Sequence, residues 1–143
     1  MIKQLSVFIE NKPGRLAEVT GYLAEAGINL HALCIADTTD FGILRLIVNN
    51  AEQAKDILKE RGLTVKTTEV LAVALEHKPG SLAGVLKELD MLGISIEYMY
   101  AFTSRDTDYD AMVVMSLSEP ELAAARIKEC NIRLVDEDII KRL

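Results

Sequence analysis

Laid on itself at an offset of 66 residues, the chain aligns Leu5 with Leu71, Val7 with Val73 and Glu10 with Glu76. Lys12-Pro13-Gly14 then meets Lys78-Pro79-Gly80, Leu16-Ala17 meets Leu82-Ala83, Leu23 meets Leu89, and Gly27-Ile28 meets Gly93-Ile94. Further on the offset becomes 69, with Val48 on Leu117, Leu58-Lys59-Glu60 on Ile127-Lys128-Glu129, and Leu63 on Ile132. Three residues are therefore inserted in the second copy, and the polar stretch Thr103–Asp110 takes them as a longer hairpin loop. A period of this size marks one supersecondary unit used twice. It divides the chain into residues 1–69 and 70–143.

Periodicity gives the elements within a copy. Leu5, Val7 and Ile9 alternate with polar or smaller neighbours over Gln4–Glu10, which predicts a half-buried strand. Asn11–Gly14 is a turn, and Leu16, Val19, Leu23 and Ala26 then recur at helical spacing until Gly27. Asn29–Ala36 and Gly42–Val48 read as strands around a turn at Thr38–Asp40. Asn50-x-x-Gln53 offers a capping box for a second helix that carries Ala54, Ile57 and Leu58 inward. Gly62 stops it, and Leu63–Val70 is the last strand. The second copy repeats the order, with Ser118-x-x-Glu121 as its capping box and Pro120 tolerated in the first helical turn.

The fold class is therefore α+β: two tandem ferredoxin-like βαββαβ domains, each an antiparallel sheet with both helices on one face. A unit this small is marginal alone. With almost no linker between them, the copies are expected to pack rigidly together, and a homodimer is expected as well.

Composition sets bounds on partners. The formal charge of −6 over 143 residues, with scattered basic residues, speaks against nucleic acid. No apolar stretch approaches the roughly 18 residues of a membrane span, and the first residues lack signal-peptide anatomy, so a cytoplasmic address is expected. Cys34 and Cys130 lie in different copies among apolar neighbours and read as two reduced, buried thiols. His31 and His77 lack metal-ligand spacing.

The informative loop is Glu10-Asn11-Lys12-Pro13-Gly14-Arg15-Leu16. Gly14 opens a helix whose first N–H groups have no intrahelical partner, which suits a carboxylate. Gly14 also permits close approach to the main chain. Asn11 offers donors and an acceptor, and Asn29, starting the next strand, is expected beside the same opening. Together they suit a zwitterion. The alternative is ordinary turn chemistry with Asn11 capping its own helix, and the recurrence of Lys-Pro-Gly weighs against it.

Asn11-Lys12-Pro13-Gly14-Arg15-Leu16-Ala17 followed by Leu23-Ala24-Glu25-Ala26-Gly27-Ile28-Asn29-Leu30 resembles the ACT domain. A looser echo is His77-Lys78-Pro79-Gly80-Ser81-Leu82-Ala83 with Leu89 and Leu92-Gly93-Ile94-Ser95-Ile96. The resemblance implies a regulatory module that binds a free amino acid, commonly where paired domains meet. By position it implies polar contacts from Asn11 and Asn29, and a main-chain turn formed by Lys12, Pro13, Gly14, Arg15 and Leu16, with Leu30 adjacent. In the second copy His77 and Ser95 replace the two asparagines. A second site there would use His77, Pro79, Gly80, Ser81, Leu82 and Ser95; otherwise the second copy or a partner chain closes the first site.

Other residues carry less. Tyr98, Tyr100 and Phe102 alternate along one strand and read as a core or interface face. Arg105-Asp106-Thr107-Asp108-Tyr109-Asp110 lacks the glycine and glutamate of a calcium loop and reads as a solvated hairpin tip, as do Asp37 and Asp40. No Ser/His/Asp order, reactive cysteine setting or Gly-rich phosphate cradle is present. No cofactor and no enzyme activity are expected. A sensor would signal through another protein, such as an enzyme or a transcription factor. The alternative function is a structural oligomerisation or protein-interaction module with no ligand.

Overall fold

The computed structural model describes residues 1–37, 40–103 and 111–143, so both hairpin tips read from the sequence lie largely outside the described residues. The elements follow the order β1 (Ile2–Glu10), α1 (Arg15–Glu25), β2 (Leu30–Asp37), β3 (Phe41–Val48), α2 (Ala51–Glu60) and β4 (Thr64–Leu75). The second copy continues with α3 (Ser81–Met91), β5 (Ile96–Phe102), β6 (Ala111–Leu117), α4 (Pro120–Ile127), β7 (Leu134–Val135) and α5 (Glu137–Arg142).

Two compact units result. The first holds Lys3–Thr68 with Ile140–Arg142, and the second holds Glu69–Ile139 with Met1, Ile2 and Leu143. The last strand of one copy and the first of the next form a single strand, β4, whose residues up to Thr68 belong to the first unit and the following ones to the second.

In the first unit the strand order is β2-β3-β1-β4. β1 and β3 run antiparallel with Leu5 opposite Leu46, Val7 opposite Leu44 and Ile9 opposite Gly42. These side chains share one face, because alternate residues of a strand point the same way. Val19 and Leu23 of α1 and Ala54 and Leu58 of α2 close over them as one buried core. β2 pairs with β3, setting Leu33 opposite Leu46 and Ile35 opposite Leu44, with a bulge between Leu30 and Ala32.

The second unit repeats the plan. β4 pairs with β6 on one side and with β7 on the other, and β5 lies beyond β6. Leu71, Val73, Val113, Met115 and Leu117 meet Leu89 of α3 and Ala123 and Ile127 of α4 in its core. Tyr98, Tyr100 and Phe102 are half-buried. They oppose Ser116, Val114 and Met112, which puts them on the face away from the helices.

Three local expectations need correction. Cys34 and Cys130 are free thiols but half-buried rather than buried. Ser118 does not cap α4. Glu119 occupies the N-cap without a side-chain hydrogen bond, and Pro120 is the first helical residue. The fixed φ of proline suits that position, so the helix start moves one residue past Ser118. α5 was not expected at all. Its signal lies in Asp136, whose Oδ1 accepts the Ile139 N–H at 3.0 Å, followed by acidic residues in the first turn and Lys141 and Arg142 in the last.

Candidate functional site

The turn between β1 and α1 is built by three residues with fixed roles. Pro13 fixes φ. Gly14 takes the left-handed conformation, φ 84° and ψ −12°, as the helix N-cap, a region that side chains disfavour. Lys12 turns back, its N–H donating to the Glu10 carbonyl at 2.9 Å while its own carbonyl accepts the Arg15 N–H at 3.2 Å. The first helical bond runs from the Glu18 N–H to the Gly14 carbonyl at 3.0 Å. No side chain caps the helix, so Asn11 is not its cap. Among the described residues, the N–H groups of Gly14, Leu16 and Ala17 have no main-chain acceptor.

The second copy reproduces this turn bond for bond. Gly80 has φ 89°, Lys78 N–H donates to the Glu76 carbonyl at 2.9 Å, Ser81 N–H to the Lys78 carbonyl at 3.3 Å, and Gly84 N–H to the Gly80 carbonyl at 2.9 Å. Even the flanking ion pair recurs, Lys12 with Glu10 at 2.6 Å and Lys78 with Glu76.

Side chains then make the two turns different. In the first, Glu10, Lys12, Pro13, Gly14, Arg15 and Glu18 line an open depression. Arg15 Nη1 donates to Glu18 Oε2 at 2.8 Å, and the Tyr22 hydroxyl donates to Glu18 Oε1 at 2.5 Å. The Tyr22 hydroxyl and the Arg15 guanidinium hold the Glu18 carboxyl below its usual range, and Lys12 does the same for Glu10. Glu18 in turn raises Arg15 and Tyr22. Arg61 sits over the Tyr22 ring, 4.4 Å from its centroid, and extends the row along α1 to Glu25. At the matching places of the second copy stand Ser81, Gly84 and Glu88, which cannot form this row.

Glu10 opens the loop singled out in the sequence without a binding role, and Glu18 and Tyr22 were absent from that expectation. Their signal was the helical spacing of Arg15, Glu18 and Tyr22, three and four residues apart on one face.

Asn11, Lys12, Pro13, Gly14 and Leu16 are exposed, and Arg15 is partly so. Asn29 is not beside them. Asn11 donates its N–H to the Asp40 carbonyl at 3.1 Å, next to Phe41 at the start of β3. Asn29 is bonded to Asn49, just past Val48 at the end of β3. Eight residues of strand at about 3.3 Å each separate the two ends by about 25 Å. The expectation that both asparagines of one copy border one opening is therefore corrected. β1 and β2 both run antiparallel to β3, so they run parallel to each other, and the end of one cannot meet the start of the other. The same topology parts His77, just past the Leu75–Ala111 pair, from Ser95, which precedes the Ile96–Leu117 pair. Leu30 and Leu82 are half-buried and pack against the cores. Pro79 and Gly80 are exposed and Ser81 partly so.

Two βαββαβ units that each open a helix from a left-handed glycine define a regulatory module of the ACT kind. The chain belongs to that family: the ACT domain pair matches residues 1–143. Among solved structures it is similar to protein BT0572 from Bacteroides thetaiotaomicron, with 42% identity over 99% of this chain and 96% of that one, and a TM-score of 0.91. It shares its fold with the ligand-free regulatory subunit of aspartate kinase from Thermus thermophilus, at 17% identity, 90% and 91% coverage and a TM-score of 0.61. The regulatory subunit of aspartate kinase from Thermus flavus is similar at 17% identity, 89% and 90% coverage and a TM-score of 0.57. No curated protein matches the chain. No helix among the described residues is long and apolar enough to cross a membrane.

Proposed function

We propose that the chain is a sensor of a free amino acid, which binds at the turn between β1 and α1 of the first copy. One observation carries the reading: unbonded N–H groups at Gly14, Leu16 and Ala17 open onto a depression whose rim carries both signs of charge. The α-carboxylate takes the N–H groups and the positive end of α1. The ammonium takes the carboxylates of Glu10 and Glu18, with Asn11 at the edge. Arg15 and Lys12 are already held by those carboxylates, so binding exchanges internal ion pairs for pairs with the ligand. Asn29 takes part only when a second copy of the chain supplies it. The first copy is the better site, because the second has the turn and the Lys78–Glu76 pair but no counterpart of the Arg15, Glu18 and Tyr22 row. The output passes to a separate protein, an enzyme or a transcription factor.

The second reading is a pairing module without ligand. It is favoured by the internal satisfaction of all four charges around the turn. Thermal melts against each of the twenty amino acids separate the two. One amino acid at about 100 times its dissociation constant adds about 2.7 kcal/mol and raises the midpoint by several degrees. A flat response to every one leaves the pairing module.

A further inference from the structure

We propose, resting on the function proposed above, that the amino acid taken at the first turn carries an acidic side chain, and that Arg15 selects it by receiving this second carboxylate. Arg15 is the first residue of α1, where the positive end of the helix dipole favours an anion and disfavours a cation. A local conflict of this kind is what functional sites retain. The second copy avoids it, with Ser81 as the first residue of α3.

One edge of the Arg15 guanidinium is also unused. Glu18 Oε2 accepts from Nη1 at 2.8 Å, while Nε is buried with no acceptor among the described residues. Buried donors are nearly always paired. Nε and Nη2 together form an edge on which arginine receives a carboxylate through two parallel hydrogen bonds. Glu18 therefore serves a fork with room for another carboxylate. Arg15 also lies in the chain between Gly14 and Leu16, whose N–H groups take the α-carboxylate, so both carboxylates of one small molecule are within reach.

The exchange of ion pairs points the same way. When the ligand's ammonium draws Glu10 and Glu18, Lys12 and Arg15 lose their partners. Lys12 is 72% exposed and passes to water. Arg15 is only 32% exposed and its Nε is covered, so it is left as a partly desolvated cation beside the positive end of α1. A neutral side chain does nothing for it, and a cationic one adds repulsion. A side-chain carboxylate pairs it and occupies the unused edge.

Isothermal titration of the full chain with L-aspartate, L-glutamate, L-asparagine and L-glutamine tests this, since the amides keep the shape and lose the charge. One of the acids is expected to bind at least about tenfold tighter than its amide, the fold-change that one hydrogen bond to a charged group corresponds to. Arg15→Met is expected to remove that preference. Arg15→Lys keeps the charge but has no fork, so it is expected to lower the preference too, and it decides should Arg15→Met not fold. An amide that binds as tightly as its acid overturns the proposal, as does a preference that survives in the folded variants. Binding of a neutral or basic amino acid with none of either acid overturns it alone and leaves the proposed function standing. A flat response to all twenty overturns both.

Discussion

The Asn29 N–H donates to Asn49 Oδ1 at 3.1 Å, and the Asn49 N–H returns a bond to the Asn29 carbonyl at 3.2 Å. The pair clamps the start of β2 to the end of β3 beside the bulge at Leu30. In the second unit Ser118 keeps only the main-chain arm, donating to the Ser95 carbonyl at 3.3 Å. Asn29 enters the clamp through its main chain and Asn49 through its side chain. Asn49→Ala is therefore expected to lose about 1 kcal/mol, a midpoint drop of a few degrees, whereas Asn29→Ala leaves the melt unchanged. Calorimetric melts of both variants check this, and equal losses would mean the Asn29 carboxamide has a structural part of its own.

The left-handed glycines of the two turns give a second expectation. A Cβ at Gly14 or Gly80 meets nothing within 4 Å, so space is not the issue; φ of 84° and 89° is. Gly14→Ala and Gly80→Ala should each cost about 1 kcal/mol through backbone strain alone. Urea titrations should show both midpoints shifted by similar amounts with unchanged slopes. A loss in one copy only would break the equivalence of the two turns.

Much of this was legible in the residues. Lys-Pro-Gly placed both turns, Gly27 and Gly93 marked both helix ends with positive φ, and Asn50 caps α2 by accepting the Gln53 N–H at 3.2 Å, as its spacing to Gln53 implied. What escaped was either short or non-local. α5 is six residues long, too short for periodicity to register, and the Ser118 spacing promised a cap that Pro120 displaced. The separation of Asn11 from Asn29 is a property of strand direction, which a linear pattern of polar residues does not encode. The row Arg15, Glu18 and Tyr22 was visible as spacing, but nothing in one copy alone distinguishes it from a solvated helix face.

Acid should act through Glu52. Hydrogen bonds and charge from Lys55 and Lys3 lower its carboxyl from 4.5 to about 2. A folded value below the unfolded one means the contribution is present above about pH 4.5 and is lost as pH falls toward 2. Glu52→Gln is expected to melt slightly below wild type near neutral pH, with the gap closing by about pH 2. Because the group is exposed, about 1 M salt should narrow the same gap at neutral pH. A gap that persists in acid would assign the effect to something other than the two lysine pairs.

Leu23 and Leu89 are the same position of the repeat, and both are buried almost completely, one on α1 and the other on α3. Truncation to alanine removes the same atoms in each copy and leaves a void whose cost depends on how far the surroundings collapse, about 2–5 kcal/mol. The surroundings differ. Leu23 lies in a cluster with Leu5, Val7 and Leu58 that holds no methionine, whereas Leu89 lies in one that includes Met115. Methionine is unbranched and fills irregular gaps more readily than leucine, so Leu89→Ala should fall at the lower end of the range and Leu23→Ala at the upper. Denaturant unfolding of the two variants measures the difference directly. If Leu89→Ala is the costlier change, the methionine does not move into the void, and the second core is the more rigid of the two.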